Sequence, residues 1–247
     1  MPEGPSIVIL KEALQPFKGR KIIAVTGNAK LDLSRLDHEK IIDFKSWGKH
    51  FLICFKGFTL RIHFLLFGSY SVNERKAVPP RLRLSFIKGE ISFYSCSMKW
   101  IEGSLDNVYD WQADVMDINW NPRKAAKKLQ AIPDAWVCDV LLDQDIFAGV
   151  GTIIKNEVLY RIRVHPKSRV GSLPAPKRSA LIRGARQYSF QFLEWKKAFV
   201  LRKHWLAYKK SICPRCNIPF KKEALGKTNR RSFFCSNCQT LYSQELK

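Results

Sequence analysis

Hydrophobic residues in the first half of the chain come in short runs, which glycine, asparagine or charged residues separate. Residues 5–15 are the exception: a proline suits their first turn and another ends them, so they predict a helix. From about 20 to 116 the runs are rich in β-branched and aromatic residues, and Lys56-Gly57 and Lys88-Gly89 predict hairpin turns. Several short strands at close spacing indicate an antiparallel sandwich or barrel.

Longer apolar and basic segments follow from 119 to about 208, and they predict helices. Asn121-Pro122 is a capping residue followed by a first-turn proline, which predicts a helix through AAKKLQAI. A second helix is predicted over 136–144 (WVCDVLLDQ) and a third over 152–162 (TIIKNEVLYRI), with the turn FAGVG before the third. A long, basic, aromatic-rich helix is predicted at about 177–199, so the fold class is α+β.

The net charge changes this picture most. The 247 residues, enough for one or two domains, hold 43 Lys and Arg against 21 Asp and Glu, a net charge of +22. An excess of this size favours a polyanionic partner and argues against a small-molecule enzyme with neutral substrates. Charge alone does not separate DNA from RNA or from an anionic membrane.

The distribution of hydrophobic residues predicts neither a membrane helix nor a secretory signal. No apolar run reaches the length of about eighteen residues that a membrane helix needs, and the start MPEGPSIVIL has no basic region before its apolar stretch. The seven cysteines are an odd number, which does not suit a disulfide framework. We expect a cytoplasmic monomer with reduced thiols and no membrane partner, associated with the nucleoid if the source is bacterial.

Four cysteines near the C-terminus have the spacing of a metal site. Two Cys-x-x-Cys pairs, 18 residues apart, are formed by Cys213, Cys216, Cys235 and Cys238. Two such turns form a tetrahedral sulfur site for Zn²⁺, and the site is structural because all four positions are filled. The segment LGKTNRRSFF between the pairs is basic and aromatic, which favours a phosphate-contacting finger over a solvated turn.

The turn Gly149-Val150-Gly151 allows two interpretations. Glycines at a helix N-terminus present backbone N–H groups and the positive end of the helix dipole, which together bind phosphate. A tight turn that needs a positive φ angle explains the same residues. Both interpretations stay open at this point.

Several motifs occur in one order that is specific in combination: PEGP at the start, WGKHF, HFLLFG, LLDQ-x4-GVG followed by NE, and the four cysteines. This order resembles the formamidopyrimidine-DNA glycosylase / endonuclease VIII family of bifunctional base-excision glycosylases, over nearly the whole chain. The PEGP start is closer to the endonuclease VIII branch. The resemblance implies a β-sandwich catalytic domain at 1–118, a helix–two-turn–helix domain at 119–208 and a zinc finger at 209–247.

The resemblance also implies a set of catalytic residues. Once the initiator methionine is removed, Pro2 would be a secondary amine that attacks the deoxyribose and forms a Schiff base, and Glu3 would be the acid that opens the sugar. Lys49, predicted on a strand, would contact phosphate near the lesion. Arg230 would bind the flanking phosphates and assist δ-elimination. Arg231, the next residue, is the alternative for this role.

Further residues would bind DNA in this family's manner. Leu65, Leu66 and Phe67 would fill the gap left by the everted base, although a buried strand end is the alternative for this apolar run. Gly149, Gly151 and Thr152 would approach phosphate, and Glu157 would have a structural role.

Three features depart from the family's pattern. Ser6 stands where the family has a glutamate that positions the sugar. Thr152 stands where it has an asparagine, although threonine still donates one hydrogen bond. The stretch from Pro166 to Cys213 is short, with little room for a loop that caps oxidised purines. We therefore expect a glycosylase and AP lyase that removes oxidised bases, pyrimidines above all, from damaged double-stranded DNA.

Two alternatives remain open. One is a protein that binds nucleic acid through the helix–two-turn–helix and the finger without catalysis, which Ser6 and Thr152 keep open. The other is an AP lyase without base specificity, since strand scission needs only the amine and a sugar aldehyde.

Overall fold

The computed structural model describes residues 2–243, and the chain divides after Tyr109 into two compact units. The fold is α+β with antiparallel sheets, as predicted. The cysteine-rich segment and residues 110–118 group with the second unit. None of the helices within residues 2–243 combines the length and hydrophobicity that crossing a membrane requires.

The first unit begins with helix α1, Gly4–Ala13, which has a proline in its first turn. The predicted end at residue 15 is two residues too late, because a 3₁₀ turn at Gln15–Phe17 takes over. Proline fits the start of such a turn, since the missing N–H is not needed there. The buried face of α1 carries Ile7 and Leu10, and it packs against two strands of the sandwich, β2 and β3.

Eight strands follow in the first unit and form two four-stranded antiparallel sheets, ordered β2-β3-β4-β8 and β1-β6-β7-β5. Their bounds are β1 Ala24–Thr26, β2 Asp43–Trp47, β3 His50–Cys54, β4 Phe58–His63, β5 Ser69–Val72, β6 Leu82–Ser85, β7 Glu90–Tyr94 and β8 Ser97–Glu102. Side chains from both sheets form one apolar core, which includes Phe51, Ile53, Leu84 and Phe93. The predicted sandwich is confirmed.

The turns of the sandwich agree with the sequence in part. The predicted hairpins are confirmed, since Lys56-Gly57 joins β3 to β4 and Lys88-Gly89 joins β6 to β7. The predicted strand region up to residue 116 is wrong beyond Glu102. Two 3₁₀ turns replace it, at Leu105–Asn107 and Trp111–Ala113, because the side chains that precede them accept backbone N–H bonds and favour turns.

Five helices and a hairpin form the described part of the second unit: α2 Pro122–Gln130, α3 Val137–Val140, α4 Gln144–Phe147, α5 Thr152–Arg161, α6 Ala175–Lys197, β9 Lys221–Leu225 and β10 Arg230–Phe234. Helix α2 starts as predicted, because the Asn121 side chain accepts the N–H groups of Arg123 and Lys124. The single helix predicted over 136–144 is wrong. The chain breaks into α3 and α4 because the Asp143 side chain caps the N–H of Asp145.

Helix α5 is the interior helix of the second unit. All residues from Thr152 to Tyr160 are buried, including Lys155, Asn156 and Glu157. It packs against α6 and against β10. Buried polar side chains need hydrogen-bond partners, so the contacts of this helix determine what it holds in place.

Candidate active site

The N-terminal segment enters the first unit directly at α1. Pro2 is partly exposed, and Glu3 has no exposed surface and is the N-terminal flanking residue of the helix. The carbonyl oxygen of Glu3 accepts the N–H of Ser6 at 2.8 Å, which fixes the first turn. Glu3 is therefore a fully buried carboxyl group directly beside Pro2 at the start of the helix.

Lys49 lies on a turn, which corrects the prediction of a strand position. β2 and β3 pair up to Trp47 and His50, so Gly48 and Lys49 alone make the connection. Gly48 has φ 53°, and two-residue hairpin turns require such angles, which glycine adopts without strain. Because α1 packs on β2 and β3, the N-terminal helix lies on the strands that carry the Lys49 turn.

Two histidines beside this turn were not found by sequence reasoning. His50 begins β3, His63 ends β4, and the two residues are paired across the sheet with ring centroids 5.4 Å apart. The Tyr109 hydroxyl lies 3.2 Å from His50 Nδ1. The only sequence signal was a histidine at the end of each apolar strand, and register decides that the two meet.

The electrostatics of this edge of the sheet are positive. Burial, together with the charges of Arg61, His63 and Lys49, lowers the pKa of His50 to about 3. Burial also lowers the pKa of His63, with Lys49 and Arg61 adding to the effect. Both imidazoles are therefore neutral at pH 7 and can accept a hydrogen bond, while Lys49 and Arg61 supply the charge.

The apolar residues after β4 lie on an exposed turn. Leu65, Leu66 and Phe67 are 51%, 40% and 86% exposed, so the alternative of a buried strand end does not hold. The N–H of Gly68 donates to Phe64 O at 2.8 Å and closes the turn. A Cβ at Gly68 would lie 2.2 Å from that oxygen, so only glycine fits. Leu65 has φ 52°, an angle that costs a non-glycine residue roughly 1–3 kcal/mol.

The glycine turn of the second unit is built as a tight turn. Gly149 has φ 98°, as that interpretation requires. The N–H of Gly149 donates to Gln144 Oε1 at 3.0 Å, and that of Val150 donates to Phe147 O at 3.1 Å. Gly151 precedes α5 as its capping position, and Thr152 is 7% exposed. Phosphate binding here remains a prediction, and it would depend on the N–H groups from Gly151 onwards.

The four predicted cysteine ligands come together in the second unit. The sulfur atoms of Cys213, Cys216, Cys235 and Cys238 all lie within 4.8 Å of one another. Cys213 and Cys238 are 3.8 Å apart at Sγ. A zinc tetrahedron with bonds of about 2.3 Å has edges of about 3.8 Å, so the donor set and its spacing fit this metal.

The two finger arginines begin strand β10 and are exposed. Arg230 pairs with Leu225 and Arg231 with Ala224 of β9. Because successive side chains of a strand point to opposite faces, the two arginines present their charges on different sides of the hairpin.

Glu157 has the structural role that was expected of it. Its carboxylate, with no exposed surface, accepts the N–H groups of Leu206, Ala207 and Tyr208 at 3.1, 2.9 and 2.8 Å and pairs with Arg161. It therefore fastens the segment that leads into the finger to α5.

Comparisons with known proteins agree with the motifs. Residues 1–96 match the formamidopyrimidine-DNA glycosylase N-terminal domain family. Human endonuclease 8-like 2 is 36% identical over 204 residues, which cover 75% of this chain and 59% of that protein. Mouse endonuclease 8-like 3 is 30% identical over 202 residues, which cover 78% of this chain and 33% of that protein. The chain thus spans less than two thirds of either relative.

A solved structure shares the fold. The Lactococcus lactis formamidopyrimidine-DNA glycosylase, non-covalently bound to DNA that contains an AP site, matches with a TM-score of 0.85 at 18% identity, covering 96% of this chain and 99% of that one. With the sequence matches, this identifies the class. The chain belongs to the formamidopyrimidine-DNA glycosylase / endonuclease VIII family, and its similarity to endonuclease 8-like proteins places it on the endonuclease VIII side.

Proposed function

We propose that this protein is a DNA glycosylase with AP-lyase activity that removes oxidised bases, pyrimidines above all, from double-stranded DNA. The observation that carries the proposal is the turn of Leu65, Leu66 and Phe67. Three large apolar side chains are exposed together on a turn that needs Gly68 and a left-handed leucine. These three side chains, called the wedge below, do not contribute to the core of the sandwich. Refilling the base stack after a nucleotide is everted requires apolar side chains of this kind.

Covalent chemistry would begin at Pro2, freed by removal of the residue before it. An α-amino group has a pKa near 8, so a substantial fraction of the amine is neutral at physiological pH. Its nitrogen attacks C1′ of the sugar, the N-glycosidic bond breaks, and the base leaves with its electron pair and takes up a proton. Glu3, buried beside Pro2, then protonates the ring oxygen as the C1′–O4′ bond opens to an iminium.

Strand scission would follow from the iminium, which acts as an electron sink. Loss of a proton from C2′ forms an enamine, and the 3′ phosphate is expelled in β-elimination. Lys49 and, in the second unit, Arg230 would stabilise the phosphates that flank the lesion and their departure. Both have the charge that this role requires, and Lys49 is partly exposed on its turn beside the neutral acceptors His50 and His63.

Two structural features bear on the DNA-binding side of the proposal. The four cysteines would hold Zn²⁺, which supplies folding energy to the small finger. Half of the short stretch between Pro166 and Cys213 is taken up by α6, Ala175–Lys197, which limits the length available for a loop over an oxidised purine. This supports the preference for pyrimidines.

Borohydride trapping tests the proposal. Protein whose N-terminus is verified by mass would be mixed with duplexes that carry thymine glycol, 8-oxoguanine or an abasic site. We expect a covalent adduct with thymine glycol as well as with the abasic site. An adduct with the abasic site alone would indicate a lyase without base specificity. No adduct from protein with a free Pro2 would overturn catalysis and favour a protein that only binds DNA, as Ser6 and Thr152 suggest.

Glu3→Gln is the matched variant for this experiment. An abasic site already equilibrates with its open aldehyde, so it does not need an acid to open the ring. Glu3→Gln should therefore lose the adduct with thymine glycol and keep the adduct with the abasic site. Loss of both adducts by a folded variant would show that Glu3 is not the ring-opening acid.

A further inference from the structure

Two buried side chains of α5 bind the backbone of the finger hairpin at the position of its arginines. Lys155 has no exposed surface, and its Nζ donates to Ser232 Oγ at 2.7 Å. The same ammonium lies 3.4 Å from the carbonyl oxygens of Arg230 and Arg231. A lysine on a helix usually keeps its charge in water. Here the ammonium group instead contacts three oxygen atoms of strand β10.

Asn156 binds the same strand through both ends of its amide. Its Nδ2 donates to Arg231 O at 3.2 Å and to Thr152 O at 2.7 Å, and its Oδ1 accepts the N–H of Phe233 at 2.7 Å. The carbonyl of one residue and the N–H of the second residue after it are the groups that a neighbouring strand would bind. The Asn156 amide therefore binds one edge of β10 as a neighbouring strand would, while β9 pairs with the other edge of β10.

The tip of the hairpin is held as well. The Asp139 carboxylate, from α3, accepts the N–H of Lys227 at 2.8 Å. Gly226, at φ 73°, lies so close that a Cβ there would be 2.0 Å from Asp139 Oδ1. Contacts at the tip and along β10 leave the hairpin little freedom to tilt against α3 and α5.

The charge of Lys155 has a second effect at this place. The carbonyl oxygens of Arg230 and Arg231 carry partial negative charge and would repel a phosphate that approaches the arginines. An ammonium against them compensates for that charge in an interior where interactions are weakly screened. A buried cation is costly unless it is fully hydrogen-bonded, so an apolar residue would be the simpler choice if packing were the only requirement.

We infer that Lys155 and Asn156 are positioning residues, which set the place and the electrostatic surroundings of Arg230 and Arg231 for a DNA phosphate. The inference rests on the proposed function, because it assumes that these arginines contact DNA. Neither Lys155 nor Asn156 touches DNA itself, since both are buried within the second unit.

Lys155→Met tests this, because methionine keeps most of the side-chain volume and removes the donor. Lys177→Met is the matched control: Lys177 Nζ also donates to a backbone carbonyl, that of Ile162 at 2.6 Å, but away from the finger. Affinity for an abasic-site duplex would be measured over a range of salt concentrations. Lys155→Met should weaken binding about tenfold, as loss of one charge-assisted hydrogen bond does, and flatten the salt slope by about one phosphate, with Lys177→Met unchanged.

Adding Lys155→Met to the variant Arg230→Ala/Arg231→Ala distinguishes positioning from a general loss of stability. If Lys155 acts through the two arginines, the added substitution should weaken binding no further, while zinc content stays at one per chain. Additive losses would overturn the inference, as would a Lys155→Met protein that binds like wild type. If Lys155→Met fails to fold, Ser232→Ala removes the closest acceptor instead and should show the same non-additivity.

Hydrogen exchange without DNA separates this inference from the proposed function. The amides of residues 231–233 should exchange faster in Lys155→Met and Asn156→Ala than in Lys177→Met. Unchanged exchange would overturn the positioning role even in a protein that binds DNA well. If wild-type protein bound no DNA, the proposed function would fail, and with it the link from Lys155 to phosphate.

Discussion

The two units present their candidate DNA contacts on different kinds of support. In the first, the Lys49 turn and the Leu65–Phe67 turn rise from sheets whose core is apolar, with Phe51, Ile53 and Phe93 fully buried. In the second, the hairpin that carries Arg230 is held by buried polar groups of α5 and by a cysteine cluster. The turns of the first unit are thus supported by close packing of apolar side chains. The finger hairpin of the second unit is supported by directed hydrogen bonds and by the charge of buried groups.

This difference teaches where each unit is sensitive. Apolar packing has no direction, so a core tolerates changes that keep its volume. A buried hydrogen-bond network loses the full desolvation cost of every group left without a partner. The stability of the sandwich should therefore depend mainly on the size of a substituted side chain. The stability of the finger hairpin should depend mainly on the hydrogen-bonding groups and the charge of the side chains that hold it.

Metal removal should have the largest effect, and it should affect one unit only. If the four cysteines hold Zn²⁺, as proposed, a chelator that removes it takes away roughly 10–16 kcal/mol of apparent binding energy from a site of this kind. We expect rapid hydrogen exchange over 211–240 and loss of DNA affinity, with protection in β3, β4 and β7 kept. Loss of protection in the sandwich as well would show that the two supports are not independent.

A pair of substitutions to leucine compares the supports directly. Glu157→Leu leaves three backbone N–H groups and Arg161 without their acceptor, and should cost about 3–5 kcal/mol. Phe93→Leu keeps an apolar residue in a fully buried core position and should cost about 1–2 kcal/mol. Denaturant unfolding measures both. Equal losses in the free energy of unfolding would contradict the proposed difference between the two units.

Acid should weaken the sandwich through His50. An unfolded histidine titrates near 6.5, and burial lowers the pKa of His50 to about 3 in the folded protein. Between these values the unfolded state binds more protons, so the free energy of unfolding falls as pH falls. His50→Asn should remove about 2 kcal/mol of the loss between pH 7 and pH 5. The exposed His38→Asn is the control, and equal pH profiles for both variants would contradict the assignment.

The smallest expected effect on stability is at the wedge. Phe67 and Ile87 are 86% and 87% exposed, both on turns of the first unit. Phe67→Ala and Ile87→Ala should each change the free energy of unfolding by less than about 0.5 kcal/mol. Only Phe67→Ala should slow excision of a paired lesion, by about tenfold in single turnover, because unstacking costs a few kcal/mol. Equal rates would show that the turn does not enter DNA.

The sequence predicted most elements that depend on local signals. The hairpins at Lys56-Gly57 and Lys88-Gly89 and the cap at Asn121 follow from residue types within four positions. The failures lie where one local signal interrupts a longer pattern. Asp143 splits an apolar run into two helices, and Gly48 converts a continuous strand into a turn at Lys49.

Local residue chemistry thus determined the sandwich, the helices, the cysteine site and the family. Only the tertiary structure decided which polar residues have a buried role. The pairing of His50 with His63 depends on strand register, and the contact of Lys155 with Ser232 joins residues 77 positions apart. In the sequence TIIKNEVLYRI a lysine is expected in water, and packing on a distant hairpin removes it from water. Burial depends on which surfaces meet, and no local window contains that information.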